Sequence, residues 1–288
     1  MIKIAKRSST ITFAIVSFFF SIFPEVLFSN IPIRFEKFVS SFIDFIGWNL
    51  TVTEVCVVCN RILFVAIVWC IVLVFYLIYI GIRKSVTIEN RDCKIKVQYG
   101  NILKCKKCKR VINFDECYTT ELGQKPYQIK PTSICGQYLS VNSSINVKHL
   151  LEQANIKPSV RKSKHQKKER YDSGTILPNG DDLLLAFAPL NENGLGVFPS
   201  YQMYVDSLFR LWQELDKYYC QKDVCVPVLG SGICRFGEGS GGSLSQQELL
   251  DIMIWSYKMS PFKIKKPCTL KIICQKKEGF SLNEIDTK

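Results

Sequence analysis

An α/β domain tethered behind a membrane anchor is the fold class this sequence predicts, on three observations. Between residues 85 and 288, short β-branched runs alternate with amphipathic stretches of helical period, as in a sheet covered by helices. One run, residues 224–229 (VCVPVL), stops abruptly at Gly230-Ser231-Gly232. Ligands of such sheets collect at turns of this kind, at the carboxyl ends of strands. Ahead of the domain, residues 62–82 are apolar without a single charge.

In chain order, Lys3, Lys6 and Arg7 precede a first apolar run at residues 10–28, which Pro24 and Glu25 interrupt. Basic residues before an apolar core also suit a signal peptide, but no clear small-residue cleavage site follows, so an uncleaved first span is expected. Residues 35–46 set Phe35, Phe38, Val39, Phe42, Ile43 and Ile46 on one helical face, against Glu36, Lys37, Ser40, Ser41 and Asp44. Such a helix suits a membrane interface or a packing face within a small bundle. Residues 62–82, at about 1.5 Å per residue, are long enough to cross a hydrocarbon core of about 30 Å. The basic N-terminal tail and Arg83-Lys84 place both termini in the cytoplasm of a multi-pass membrane protein, with a short outer hairpin between two transmembrane helices. Residues 1–84 form the anchor and residues 85–288 one domain with its own core.

Within that domain the pattern predicts strands over 86–88, 93–99, 109–113, 183–188, 224–229 and 269–274, and helices over 200–219 and 245–258. Tyr204, Val205, Leu208, Leu211, Trp212 and Leu215 make the buried stripe of the first helix. Ser245 and Glu248 form a capping box at the start of the second. Two stretches lack this order. Residues 158–175 hold Arg161, Lys162, Lys164, Lys167, Lys168 and Arg170 and read as an exposed basic loop, a solvated insertion or a contact for anionic lipid or nucleic acid. Residues 237–243 (GEGSGGS) are a flexible connection able to fold over a ligand.

The thirteen cysteines invite a metal or disulfide reading. Cys56 and Cys59 precede the second span and Cys105 and Cys108 follow it, so the two pairs cannot share one zinc. Neither His149 nor His165 has finger-like spacing to Cys105 and Cys108. No metal site is therefore expected, and the scattered, odd-numbered set fits a reducing cytoplasm.

The glycine turn carries the chemistry. Glycines directly after a strand let backbone N–H groups approach an anion, and successive amides cradle a phosphate. Arg235 adds a cation and Phe236 an aromatic face within four residues of Gly232, enough to neutralise a diphosphate and cover a sugar or base.

These strings resemble the macro domain family, the ADP-ribose-binding three-layer α/β/α fold with a mixed central sheet. More narrowly, they resemble the ThsA macro domains of Thoeris antiphage defence that carry two N-terminal transmembrane segments. The resemblance rests on VPVLGSGICRF followed by SQQELLDIMIWSYK, on LLLAFAPLNENG, and on SICGQYL at residues 133–139. It implies a ligand site at Asn101, Ile102, Asn113, Gly136, Gly230, Ser231, Gly232, Ile233, Cys234, Arg235 and Phe236. The sequence departs from the family where Asn101 stands for an adenine-binding acid, where Asn113-Phe114-Asp115-Glu116 keeps only the first asparagine of the first ligand loop, and where Arg235 replaces a glycine.

The altered first loop, with no Ser-His-Asp or Cys-His arrangement to replace it, implies no catalytic residues and no cofactor. The resemblance implies a sensor of an ADP-ribose derivative, with histidine-ADP-ribose the specific expectation, made from NAD by a TIR-domain partner. Binding would then drive homo-oligomerisation and disruption of the lipid bilayer. A membrane-tethered ADP-ribose hydrolase, and a basic scaffold for nucleic acid or anionic lipid, stay open as alternatives.

Overall fold

A computed structural model of the protein describes residues 9–18, 52–90, 92–232, 235–237 and 243–285. The chain divides into two compact units, Met1–Arg83 and Lys84–Lys288. In the first, α1 covers Ser9–Phe18 and α2 covers Val52–Ile82. Within α2, Asn60–Ile82 is long and apolar enough to cross a membrane, and among the described residues it is the one helix that is. Ile62, Ile67, Phe75 and Tyr79 are all more than half exposed, the all-round apolar surface of a helix that prefers hydrocarbon to water. The described part of α1 is too short to span. The rest of the expected first span and the amphipathic segment at 35–46 lie outside the described residues.

The second unit is built on a seven-stranded sheet in the order β1-β2-β9-β7-β3-β5-β4. Its strands are β1 (Ser85–Glu89), β2 (Lys94–Tyr99), β3 (Cys108–Asp115), β4 (Ile176–Asn179), β5 (Asp182–Ala188), β7 (Asp223–Pro227) and β9 (Leu270–Cys274). The five central strands are parallel, while β1 and β4 run antiparallel at the two margins. All five carboxyl ends therefore open on one edge. A separate two-residue pair joins β6 (Val197–Phe198) to β8 (Arg235–Phe236).

Side-chain alternation sends each strand's residues to two cores. Val111, Leu183, Leu185, Val224, Val226 and Ile272 pack on one face against α5 (Tyr201–Tyr218) and α6 (Gln246–Met259). Ile112, Phe114, Leu184 and Ala186 pack on the other against α3 (Ile134–Val141) and α4 (Val147–Gln153). The result is a three-layer α/β/α sandwich with a mixed sheet. Trp212 locks α5 to α6, its indole N–H donating to Ser256 Oγ at 3.0 Å and its ring meeting Tyr257 edge-on. Each helix begins at a capping side chain: Ser133, Asn146, Ser200 and Ser245. Ser245 and Glu248 form the reciprocal box expected from the sequence.

The chain enters this unit at the carboxyl edge. Tyr99 N–H, at the end of β2, donates to Lys84 O at 3.2 Å, two residues after α2 ends.

Candidate ligand-binding edge of the sheet

The glycine turn leaves β7 on that edge, and three contacts fix its stem. Tyr204 Oη donates to Leu229 O at 3.0 Å, Ser231 Oγ to Val228 O at 2.7 Å and Lys277 Nζ to Ser231 O at 2.8 Å. Gly230 takes left-handed backbone (φ 81°), which a residue with a Cβ adopts only under strain. A Cβ at Gly232 would meet nothing within 4 Å. Among the described residues, the N–H groups of Gly230, Ser231 and Gly232 have no protein acceptor. Three successive unpaired amides are what an anion cradle requires.

The turn opens on a cavity of about 310 Å³, whose walls are Gly230–Gly232, Ser243–Gln246 and Lys277–Phe280. That is the lower end of the size range of small-molecule sites. Lys277 supplies its cation. Phe280 meets Tyr99 edge-on at 5.7 Å, and Lys276 Nζ lies 5.7 Å over the Tyr99 ring. The N-terminus of α6 is already occupied by its own carboxylate. Ser245 N–H and Oγ donate to Glu248 at 2.8 Å each and hold that carboxyl below the usual glutamate range. The groups this cavity offers an anion are therefore the turn amides and Lys277, with Ser245 N–H and Glu248 N–H of the helix start already paired.

The expected site residues fall in several places. Gly230, Ser231 and Gly232 line the cavity; Ile233 and Cys234 lie outside the described residues. Asn101 sits at the carboxyl end of β2, its Oδ1 accepting from Leu103 N at 2.9 Å, and Ile102 is buried against Cys108, Cys225 and Ile273. Asn113, expected to end its strand and open the ligand loop, lies inside β3 opposite Leu185, because pairing with β5 continues to Asp115. Gly136 lies in the first turn of α3, where a Cβ would collide with Lys130 O; close backbone packing requires this glycine. Arg235 is exposed on β8 and its N–H donates to Gly196 O at 3.2 Å. Phe236 corrects the expectation of a ring free to cover a sugar. It is 2% exposed, because pairing with β6 drives it against Phe198, Tyr201 and Tyr204.

Sequence reasoning missed the Lys277–Phe280 wall, although a lysine and a Gly-Phe pair directly after a final strand were there to be read. It also missed what replaces the first ligand loop. Glu116, just past β3, is 2% exposed. Its carboxylate accepts from Ser163 Oγ at 2.5 Å and from Leu190 N at 3.2 Å, and pairs with Arg170 Nη1 at 3.3 Å. His165 is buried too, with Nδ1 3.1 Å from Glu192 O and its ring stacked on Tyr127. The basic loop expected to be solvated is therefore anchored across the exits of β3 and β5. A second cavity, about 730 Å³ and more open, lies beside this loop between residues 117–121 and 143–148; no glycine turn reaches it.

No group of three or more His, Cys, Asp or Glu among the described residues is placed to hold a metal. Cys108 and Cys225 touch, Sγ to Sγ 3.3 Å. Burial raises the thiol pKa of both, and lifts Cys117 to about 11, so these thiols stay protonated and inert.

Residues 95–275 match the family model described as Thoeris protein ThsA, Macro domain. The Thoeris protein ThsA of Bacillus amyloliquefaciens (strain Y2) is 23% identical over 223 residues, covering 74% of this chain and 73% of that protein. Two solved Oceanobacillus iheyensis macrodomains, a mutant with ADPR and one with ADP, align with TM-scores of 0.43 and 0.42 at 11% and 10% identity. Each alignment covers 67% of this chain, and 91% and 89% of those chains respectively. A family match from β2 to the residue after β9, over a sheet of this order, is decisive: the chain belongs to the macro domain family of the Thoeris protein ThsA.

Proposed function

We propose that the protein is a membrane-anchored effector of antiphage defence that senses an ADP-ribose-derived nucleotide without consuming it. The supporting observation is the turn after β7: three unpaired amides beside Lys277, on the edge of the sheet where such folds bind ligands. The diphosphate sits on Gly230, Ser231 and Gly232, beside Lys277. Histidine-ADP-ribose, made from NAD by a TIR-domain partner, is the specific ligand proposed.

The reader assignment draws support from the exit of β3. There Glu116 is spent on Ser163, Leu190 and Arg170, which holds its carboxylate in the fold rather than free to move a proton on a bound substrate. The soluble domain and both termini are cytoplasmic. Two helices cannot enclose an aqueous pore, so membrane disruption requires several copies. The nucleotide drives assembly only by binding the assembled state more tightly.

The test is calorimetry of the full chain in detergent against ADP-ribose, histidine-ADP-ribose and NAD, followed by mass measurement and liposome leakage. Gly232→Glu, which puts a carboxylate at the cradle without a steric clash, should abolish binding while leaving the melting temperature within about 2 °C. Unchanged affinity in that variant rejects the site. Release of free ADP-ribose from a modified protein rejects the reader assignment.

A further inference from the structure

Residues 158–171 are more than a charged insertion. Their backbone closes as a hairpin, Ser159 N to Arg170 O at 2.8 Å and Ser163 N to Lys168 O at 3.0 Å. Gln166 (φ 53°) and Lys167 (φ 52°) turn its tip. Side chains divide by face. Ser163 and His165 point inward, at 0% and 5% exposure, and lock onto Glu116 and Glu192. Arg161, Lys162, Lys164, Lys167 and Lys168 all stay exposed. Beside them Val160 is completely exposed, at 101%. A rigid cationic ridge with a bare aliphatic side chain is not what a merely solvated loop needs.

The ridge is also placed. Its roots, Glu116 and Leu190, follow β3 and β5 on the carboxyl edge, and Lys84, where the chain leaves α2, is hydrogen-bonded to β2 on that same edge. Four strand spacings, roughly 20 Å, separate β2 from β5. We propose that this ridge is a docking surface for anionic phospholipid headgroups, with Val160 entering the boundary between headgroup and acyl chain. The inference rests on reading residues 62–82 as a membrane anchor. Nucleic acid is the poorer match, because unpaired bases need exposed aromatic faces, and the two rings of this loop, His165 and Tyr171, are both buried.

The full chain is incubated with vesicles of phosphatidylcholine alone, or of phosphatidylcholine and phosphatidylglycerol in equal parts. Flotation reads anchoring, and amine-reactive labelling with mass spectrometry reads individual lysines. Labelling of Lys162, Lys164, Lys167 and Lys168 should fall about fivefold with phosphatidylglycerol and recover in high salt. Lys222, at the opposite edge, should be unaffected. Arg161→Glu with Lys162→Glu and Lys167→Glu should remove the shielding of Lys164 and Lys168, and Val160→Asp should weaken it. Equal labelling in both vesicle types overturns the proposal, as does equally strong shielding by polyuridylate in phosphatidylcholine alone. Protein that fails to float, yet is still shielded by phosphatidylglycerol, removes the anchor and keeps the headgroup surface.

Discussion

Adjacent strands β7 and β3 leave the sheet at the same edge, and their loops are built on opposite rules. After β7 the chain uses small residues, leaves three amides without protein acceptors and borders a cavity. After β3 it buries an acid, and four groups from two later segments converge on it or on its neighbour: Ser163, His165 and Arg170 from the 158–171 hairpin, and Leu190. The first loop leaves backbone amides without protein acceptors among the described residues; the second spends its buried acid on the fold. That difference separates a loop with amides left open to an anion from a loop that fastens the fold, although both leave the same edge of the sheet.

The comparison breaks most visibly at Glu116. Glu116→Ala leaves Arg170 and Leu190 N–H without their acceptor in a buried site, and should cost about 3–5 kcal/mol. Denaturation of the detergent-solubilised chain reads that loss, and rapid proteolysis within 158–171 should accompany it. Loss of stability without loop cleavage would show that the cluster does not fasten the loop.

A smaller effect is expected at Gly230, where the backbone itself is the special feature. Gly230→Ala forces a side chain into left-handed backbone and sets its Cβ 3.4 Å from Leu249 Cδ2, for about 1–2 kcal/mol. The melting temperature should drop accordingly, and nucleotide affinity with it, because the turn no longer presents its amides.

The smallest effect concerns Asp115. Burial raises its carboxyl pKa above the ordinary value of 3.8, against the opposing hydrogen bonds from Thr119 and Cys117. The folded state then holds its proton to higher pH than the unfolded chain does. The penalty for ionised Asp115 is absent below 3.8 and complete once pH passes the raised folded value. Asp115→Asn, which keeps an acceptor for Cys117 N and Thr119 N, should therefore be more stable than the parent at neutral pH, with the advantage vanishing on acidification. A constant difference across pH would assign the effect to packing.

What the sequence revealed follows the same division. The strand expected at 224–229, its glycines and the Ser245–Glu248 box are local patterns; the box stands where capping chemistry put it, and the strand runs Asp223–Pro227, two residues short of its expected end. Helices α3 and α4 escaped notice because, at eight and seven residues, they are too short for a period to show, with Gly136 in the first turn of one. Strand β4 contains Pro178, and β6 and β8 are two residues each, too little for a period. The burial of Ser163 could not be read locally, since its partner Glu116 lies 47 residues earlier. Phe236 was misread for the same reason: its neighbours Phe198 and Tyr204 come from far upstream.

The entry of the chain at Lys84 also has a mechanical meaning. Strand β1 begins at the carboxyl edge and runs antiparallel to β2 over five pairs, Ser85 opposite Gln98 through Glu89 opposite Lys94. A pull on Lys84 along the strand axis loads that ladder in shear, so its hydrogen bonds resist together. A pull across the strand would instead open them one at a time. A force that reaches Lys84 along this axis meets the β1–β2 ladder before it reaches the core.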